Sequence, residues 1–88
     1  MSQRIVEMDL RPKPLSLTPE ELDFDTYPIT HAKEPIKIAA WVRYSNDIVY
    51  RAEGTAIGWT SRAVHIKYKL VDNTEQSAWV WASSVDRL

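Results

Sequence analysis

The chain has 88 residues, a net charge of −1, 44% apolar residues and no cysteine. That length makes one domain with a small core. The missing cysteines exclude a disulfide framework and a thiolate zinc site, and two histidines, His31 and His65, are too few for an ordinary metal centre.

No apolar run reaches the length of a membrane span, and the N-terminus lacks the apolar core of a signal peptide. The expectation is a soluble cytoplasmic protein with no cofactor, no metal and no membrane partner. Charge is uneven along the chain. Residues 1–32 carry three basic and six acidic side chains, residues 33–88 eight basic and six acidic. The second part is mildly basic, well short of a committed duplex-DNA binder. The acidic first part can lie against it and mask its basic face.

Residues 1–35 read as an N-terminal arm, partly ordered against the rest of the chain. Ile5, Val6, Met8 and Leu10 suit a short edge strand, which Arg11-Pro12-Lys13-Pro14 stops. Leu15-Ser16-Leu17 is an extended piece. Thr18-Pro19-Glu20-Glu21 starts a helix, with a hydroxyl N-cap, proline at the first helical position and Glu21 closing a capping box. Tyr27-Pro28 disfavours continuation, so one or two turns are expected over about Pro19–Phe24, anchored by Leu22 and Phe24.

Residues 36–88 read as a barrel of about five short antiparallel strands, with turn signals every eight to twelve residues. In residues 36–44 the alternation sets Ile36, Ile38, Ala40, Val42 and Tyr44 inward, against Lys37, Ala39, Trp41 and Arg43. Ser45-Asn46-Asp47 is a polar turn. Residues 48–59 form a long strand, with Ile48, Tyr50 and Ala52 inward and Gly54 and Gly58 marking a bulge or bend. Thr60-Ser61-Arg62 turns the chain. Val64, Ile66, Tyr68 and Leu70 point inward from the next strand, His65, Lys67 and Lys69 outward. Asp72-Asn73-Thr74-Glu75-Gln76 is a loop and residues 77–82 a strand. The end, Ser83 to Leu88, reads as a helical turn and a closing strand, with Val85 and Leu88 plugging the barrel.

Four Trp and four Tyr are more aromatic surface than one small core needs. Trp41, Trp79 and Trp81 share the outward register with Arg43, Lys67 and Lys69. These six residues are the candidate binding surface. It can dock a protein partner or a second copy, or stack unpaired bases while Arg and Lys hold phosphates. The competing expectation is that arm residues Leu15, Leu17, Leu22, Phe24 and Ile29 cover these Trp as a lid. No enzyme motif is present. His65 lacks triad partners at recognisable spacing and reads as a solvated strand residue. The acids Glu20, Glu21, Asp23 and Asp25 suit a helix start. The two glycines do not make a phosphate loop.

Several words of the chain resemble a Tudor-type domain of the SH3-like barrel group. They are Tyr44-Ser45-Asn46-Asp47, Val49-Tyr50-Arg51-Ala52-Glu53, Thr55-Ala56-Ile57, Val64-His65-Ile66-Lys67-Tyr68, Asp72-Asn73-Thr74-Glu75 and Ser84-Val85-Asp86-Arg87-Leu88. The resemblance covers residues 44–88 and implies an SH3-like barrel that reads a methylated cation in an aromatic cage. The cage would draw on Tyr44, Tyr50 and Tyr68, and would be partial, because Val71-Asp72 stands where the family has Tyr-Gly. The expected function is therefore a non-catalytic binding module. Protein association through the Trp surface leads; nucleic-acid binding and methyl-cation reading are the alternatives.

Overall fold

The computed structural model describes residues 13–45 and 47–88. The edge strand expected from Ile5, Val6, Met8 and Leu10, with its stop at Arg11-Pro12, lies outside the described residues, as does Asn46 of the first turn. A one-turn helix, α1 (Pro19–Leu22), precedes β1 (Thr30–Arg43), β2 (Val49–Trp59), β3 (Ala63–Lys69), β4 (Glu75–Trp81), a 3-10 turn (Ala82–Ser84) and β5 (Val85–Arg87). The strands form one antiparallel sheet in the order β4-β3-β2-β1-β5. A four-strand meander whose fifth strand returns to β1 after a 3-10 turn is the small all-β arrangement that the strand rhythm predicts. Among the described residues no helix is long and apolar enough to cross a membrane.

The inward registers follow the period of two. Ile38, Ala40 and Val42 of β1, Ala52 and Ala56 of β2, Ile66 and Tyr68 of β3, and Ala78 and Val80 of β4 form one buried cluster with Tyr44. Ile36, Val64, Leu70 and Val85 pack on its margin. Ile66 and Val42 are its largest fully buried side chains. Four of these buried positions are alanine, and Gly54 has no room for a side chain at all. A Cβ on Gly54 would sit 2.1 Å from the Lys67 carbonyl oxygen and 2.8 Å from Tyr68 Cβ. Gly54 therefore lies in regular pairing, and its missing side chain makes room for Tyr68. The expected bulge lies beside Gly58, where the β2–β3 register slips between Ala56 and Gly58.

Turn chemistry is legible in the atoms. The β1–β2 and β3–β4 hairpins close alike: Asp47 N–H donates to the Tyr44 carbonyl (3.0 Å), and Asn73 N–H to the Leu70 carbonyl (2.9 Å). Asp47 (φ 66°) and Asn73 (φ 68°) take the left-handed conformation that short polar side chains tolerate. The Thr60 hydroxyl caps the β2–β3 turn by accepting from the amides of Arg62 and Ala63, each at 3.1 Å.

Five expectations are corrected. Strand β4 takes in Glu75 and Gln76, expected in the loop, because they pair with Lys69 and Tyr68, and it ends at Trp81, with Ala82 in the 3-10 turn. Strand β1 begins at Thr30 rather than Ile36; its first residues pair with Trp59 and Gly58, and the register slips between His31 and Ile36. Helix α1 stops at Leu22 because Asp23 adopts φ 48°, a left-handed C-cap. Leu88 does not plug the barrel: it is exposed, and only its N–H is held, by the Lys37 carbonyl. Ile48 and Tyr50 are exposed beside the first turn, although Tyr50 is the cross-strand partner of the fully buried Val42.

Candidate functional site

The arm forms one wall of the candidate site. The capping box is complete: the Thr18 hydroxyl accepts from Glu21 N–H (3.1 Å), and the Glu21 carboxylate accepts from Thr18 N–H (2.9 Å). This fixes where the arm enters α1. Before it, the extended Leu15-Ser16-Leu17 stretch bridges two strands that do not pair with each other. Leu15 N–H donates to the Arg43 carbonyl of β1 (2.8 Å) and Leu17 N–H to the Trp79 carbonyl of β4 (3.0 Å). The Ser16 hydroxyl accepts from Trp79 N–H (2.8 Å). The arm thereby covers the edge of β4, which would otherwise present unpaired backbone groups.

Trp79 is half-buried between two other rings. Its indole stacks on His65, with centroids 4.8 Å apart and planes 12° from parallel, and meets the Phe24 ring at 5.4 Å. The pairing of β3 with β4 sets His65 opposite Trp79. Burial is the main cause that holds the His65 pKa below its usual value; His31 and then Lys67 add to it. His65 is thus part of a neutral ring stack rather than a solvated strand residue. A sequence signal existed, since aligning residues 63–69 against 75–81 places the two rings side by side.

Arg62 clamps the arm from the other side. Its guanidinium lies 4.2 Å from the Tyr27 ring centre and 5.2 Å from that of Trp81. One terminal nitrogen donates to the Glu21 carbonyl at the end of α1. Its Nε is buried and lacks a hydrogen-bond partner among the described residues. Nothing local in the sequence marks this turn residue.

Between arm and sheet a groove of about 630 Å³ remains open. Leu15, Ser16, Leu17 and Glu21 form one side, Trp41, Arg43 and Val49 another, and Trp79, Val80, Trp81 and Ser84 the rest. Trp41 is 49% and Trp81 38% exposed. Of the six surface residues expected from sequence, the groove brings together Trp41, Arg43, Trp79 and Trp81. Lys67 and Lys69 stand apart on β3. Lys67 forms an ion pair with Glu75 (3.4 Å), and Lys69 is the cross-strand neighbour of the same Glu75. The apolar walls Leu15, Leu17 and Val49 were not among the expected site residues.

No family model, curated protein or solved structure matches this chain. The site is therefore interpreted from its own chemistry. The three tyrosines do not line an open cage. Tyr44 and Tyr68 are buried, with hydroxyls in a hydrogen bond at 2.8 Å and both within hydrogen-bond reach of Gln76 Oε1, at 2.9 and 3.1 Å, so their two protons serve two of these three contacts at a time. Burial, reinforced by the Tyr44 hydroxyl, pushes the Tyr68 phenol pKa well up. Tyr50 stands outside this pair and is 38% exposed. Among the described residues no cluster of His, Asp and Glu could hold a metal ion.

Proposed function

We propose that this protein is a non-catalytic binding module of the cytoplasm that docks a protein partner in the groove between its arm and Trp41, Trp79 and Trp81. The observation that carries this reading is the half-exposure of Trp41 and Trp81 in a groove whose third tryptophan, Trp79, already packs against His65 and Phe24. Large, rigid aromatic rings in a partly desolvated concavity are what protein interfaces use as anchors. Nucleic acid is the weaker reading. Lys67 is ion-paired with Glu75 and Arg51 with Asp86 (2.7 Å), and Arg62 is held by the arm. Among the residues that line the groove, Arg43 is the one cation that could meet a phosphate. The methyl-cation reading would require the rings of Tyr44 and Tyr68, which are in the core.

The test monitors the four indole N–H resonances of the 15N-labelled protein. It is titrated at low salt with a mixed single-stranded oligonucleotide, and separately with a pool of random twelve-residue peptides. Docking predicts that the Trp41 and Trp81 signals move with the peptide pool and not with the oligonucleotide. Shifts with the oligonucleotide that vanish at moderate salt would replace this reading with nucleic-acid binding.

A further inference from the structure

The groove carries an uneven charge that says more about its occupant. Arg43 stands at one end, exposed, and its side chain forms no hydrogen bond or ion pair among the described residues. Glu21 stands on the arm side, its carboxylate occupied by the capping box. The other arginines near the site are engaged. Arg51 binds Asp86 while lying 5.2 Å from the Trp41 ring centre, and Arg62 is held between Tyr27 and Trp81. Arg43 is thus the one groove cation left without a partner among the described residues, and it borders the exposed apolar surface of Trp41, Val49 and Leu15.

From this juxtaposition we infer that the occupant is a short peptide segment with a large apolar side chain seated against Trp41 and Trp81 and a neighbouring carboxylate paired with Arg43. This rests on the docking reading above and narrows it to acidic–apolar segments. The physical case is charge complementarity. A carboxylate can meet the guanidinium in a two-pronged hydrogen bond. A basic segment would leave Arg43 facing a like charge, which disfavours wrong partners. Glu21 works in the same sense from the arm side. It repels an acid placed there, so the carboxylate of the segment is directed to the Arg43 end.

The experiment selects a displayed library of random twelve-residue peptides on the full-length protein, with the Trp41→Ala and Trp81→Ala variants as background. Peptides recovered on the wild type should pair an aromatic or large aliphatic residue with Asp or Glu one or two positions away. Each synthesised winner should bind about thirtyfold more weakly to Trp41→Ala, as for loss of a central aromatic anchor. Selection on Arg43→Glu should exchange the enriched acids for Lys or Arg. Winners that need Trp41 but show no acidic preference, or an unchanged preference on Arg43→Glu, would overturn this inference and leave the docking reading standing. No enrichment above the Trp variants would overturn both. A second copy of the chain occupying the groove, seen as a dimer that Trp41→Ala dissociates in sizing chromatography, would also overturn it.

Discussion

Trp79 and Trp81 lie two residues apart on one strand, yet their surroundings differ. Trp79 is half-buried: His65 stacks on it, Phe24 packs against it, and its backbone is bonded to Ser16 and Leu17, while it still lines the groove. Trp81 and its neighbour Trp41 open to solvent in the groove. Strand, register and residue type do not distinguish Trp79 from Trp81. The path of the arm does, because it crosses at Trp79 and leaves the groove beside it. Arg62 marks the boundary, with one face of its guanidinium toward Tyr27 of the arm and Trp81 also within reach. A lid over the tryptophans and an open tryptophan surface were competing expectations from sequence; each describes part of the same face.

The contrast between the two tryptophans can be broken at three depths. The deepest is the core beneath both regions. Ile66→Ala should cost about 2–5 kcal/mol in chemical denaturation, since a fully buried side chain leaves a cavity when cut back. A loss below about 0.5 kcal/mol would mean that the inward register is wrong. The middle depth is the clamp. Arg62→Ala should cost about 1–3 kcal/mol, because it removes ring contacts and a hydrogen bond to the arm. Arg62→Lys should recover little, since an ammonium cannot lie flat against Tyr27. If neither change lowers stability, the arm is held by something other than Arg62. The shallowest is the open side. Trp41→Ala should change stability by less than about 1 kcal/mol, as expected for a half-exposed residue. A larger loss would show that the groove belongs to the fold rather than to a partner.

How far the sequence could be read depended on the range of the interaction. The core registers of Ile38, Val42, Ile66 and Val80 repeat every second residue, and that pattern survives in a single strand. The capping box at Thr18 and the turns at Asp47 and Asn73 are equally local. The start of β1 was not legible. Residues 30–35 show no alternation and include Pro35, so their strand character comes from pairing with Trp59 and Gly58, far along the chain. Leu15-Ser16-Leu17 is too short to reveal by itself that it bridges β1 and β4. The site divides in the same way: the outward Trp and Arg positions follow from register, whereas the groove exists only because the arm returns to the sheet.

The finest test of the Trp79 side is its pH dependence. His65 has a depressed pKa in the folded protein, chiefly from burial against its neighbours. Unfolded, its imidazole titrates near the ordinary value of about 6.5. As pH falls below that value, the unfolded chain takes up the proton first, and folding stability must fall. Above it, imidazole is neutral in both states and the contribution is flat. The groups that face His65 act in the same direction. His31 on β1 and Lys67 on β3 oppose a positive charge there, Trp79 and Phe24 supply an apolar wall, and none of these is an acid that would reward protonation. The measurement is the melting temperature of wild type and His65→Gln between pH 5.5 and 8. Wild type should lose ground relative to the variant as pH drops through 6.5, by a small amount, because the ring is only partly enclosed. Hydrogen exchange at the amides of Leu17 and Trp79 localises the effect: their protection should fall with pH in wild type more than in the variant. A constant difference between the two proteins across the range would mean that the imidazole stays solvated, and that the arm packs on Trp79 without help from His65.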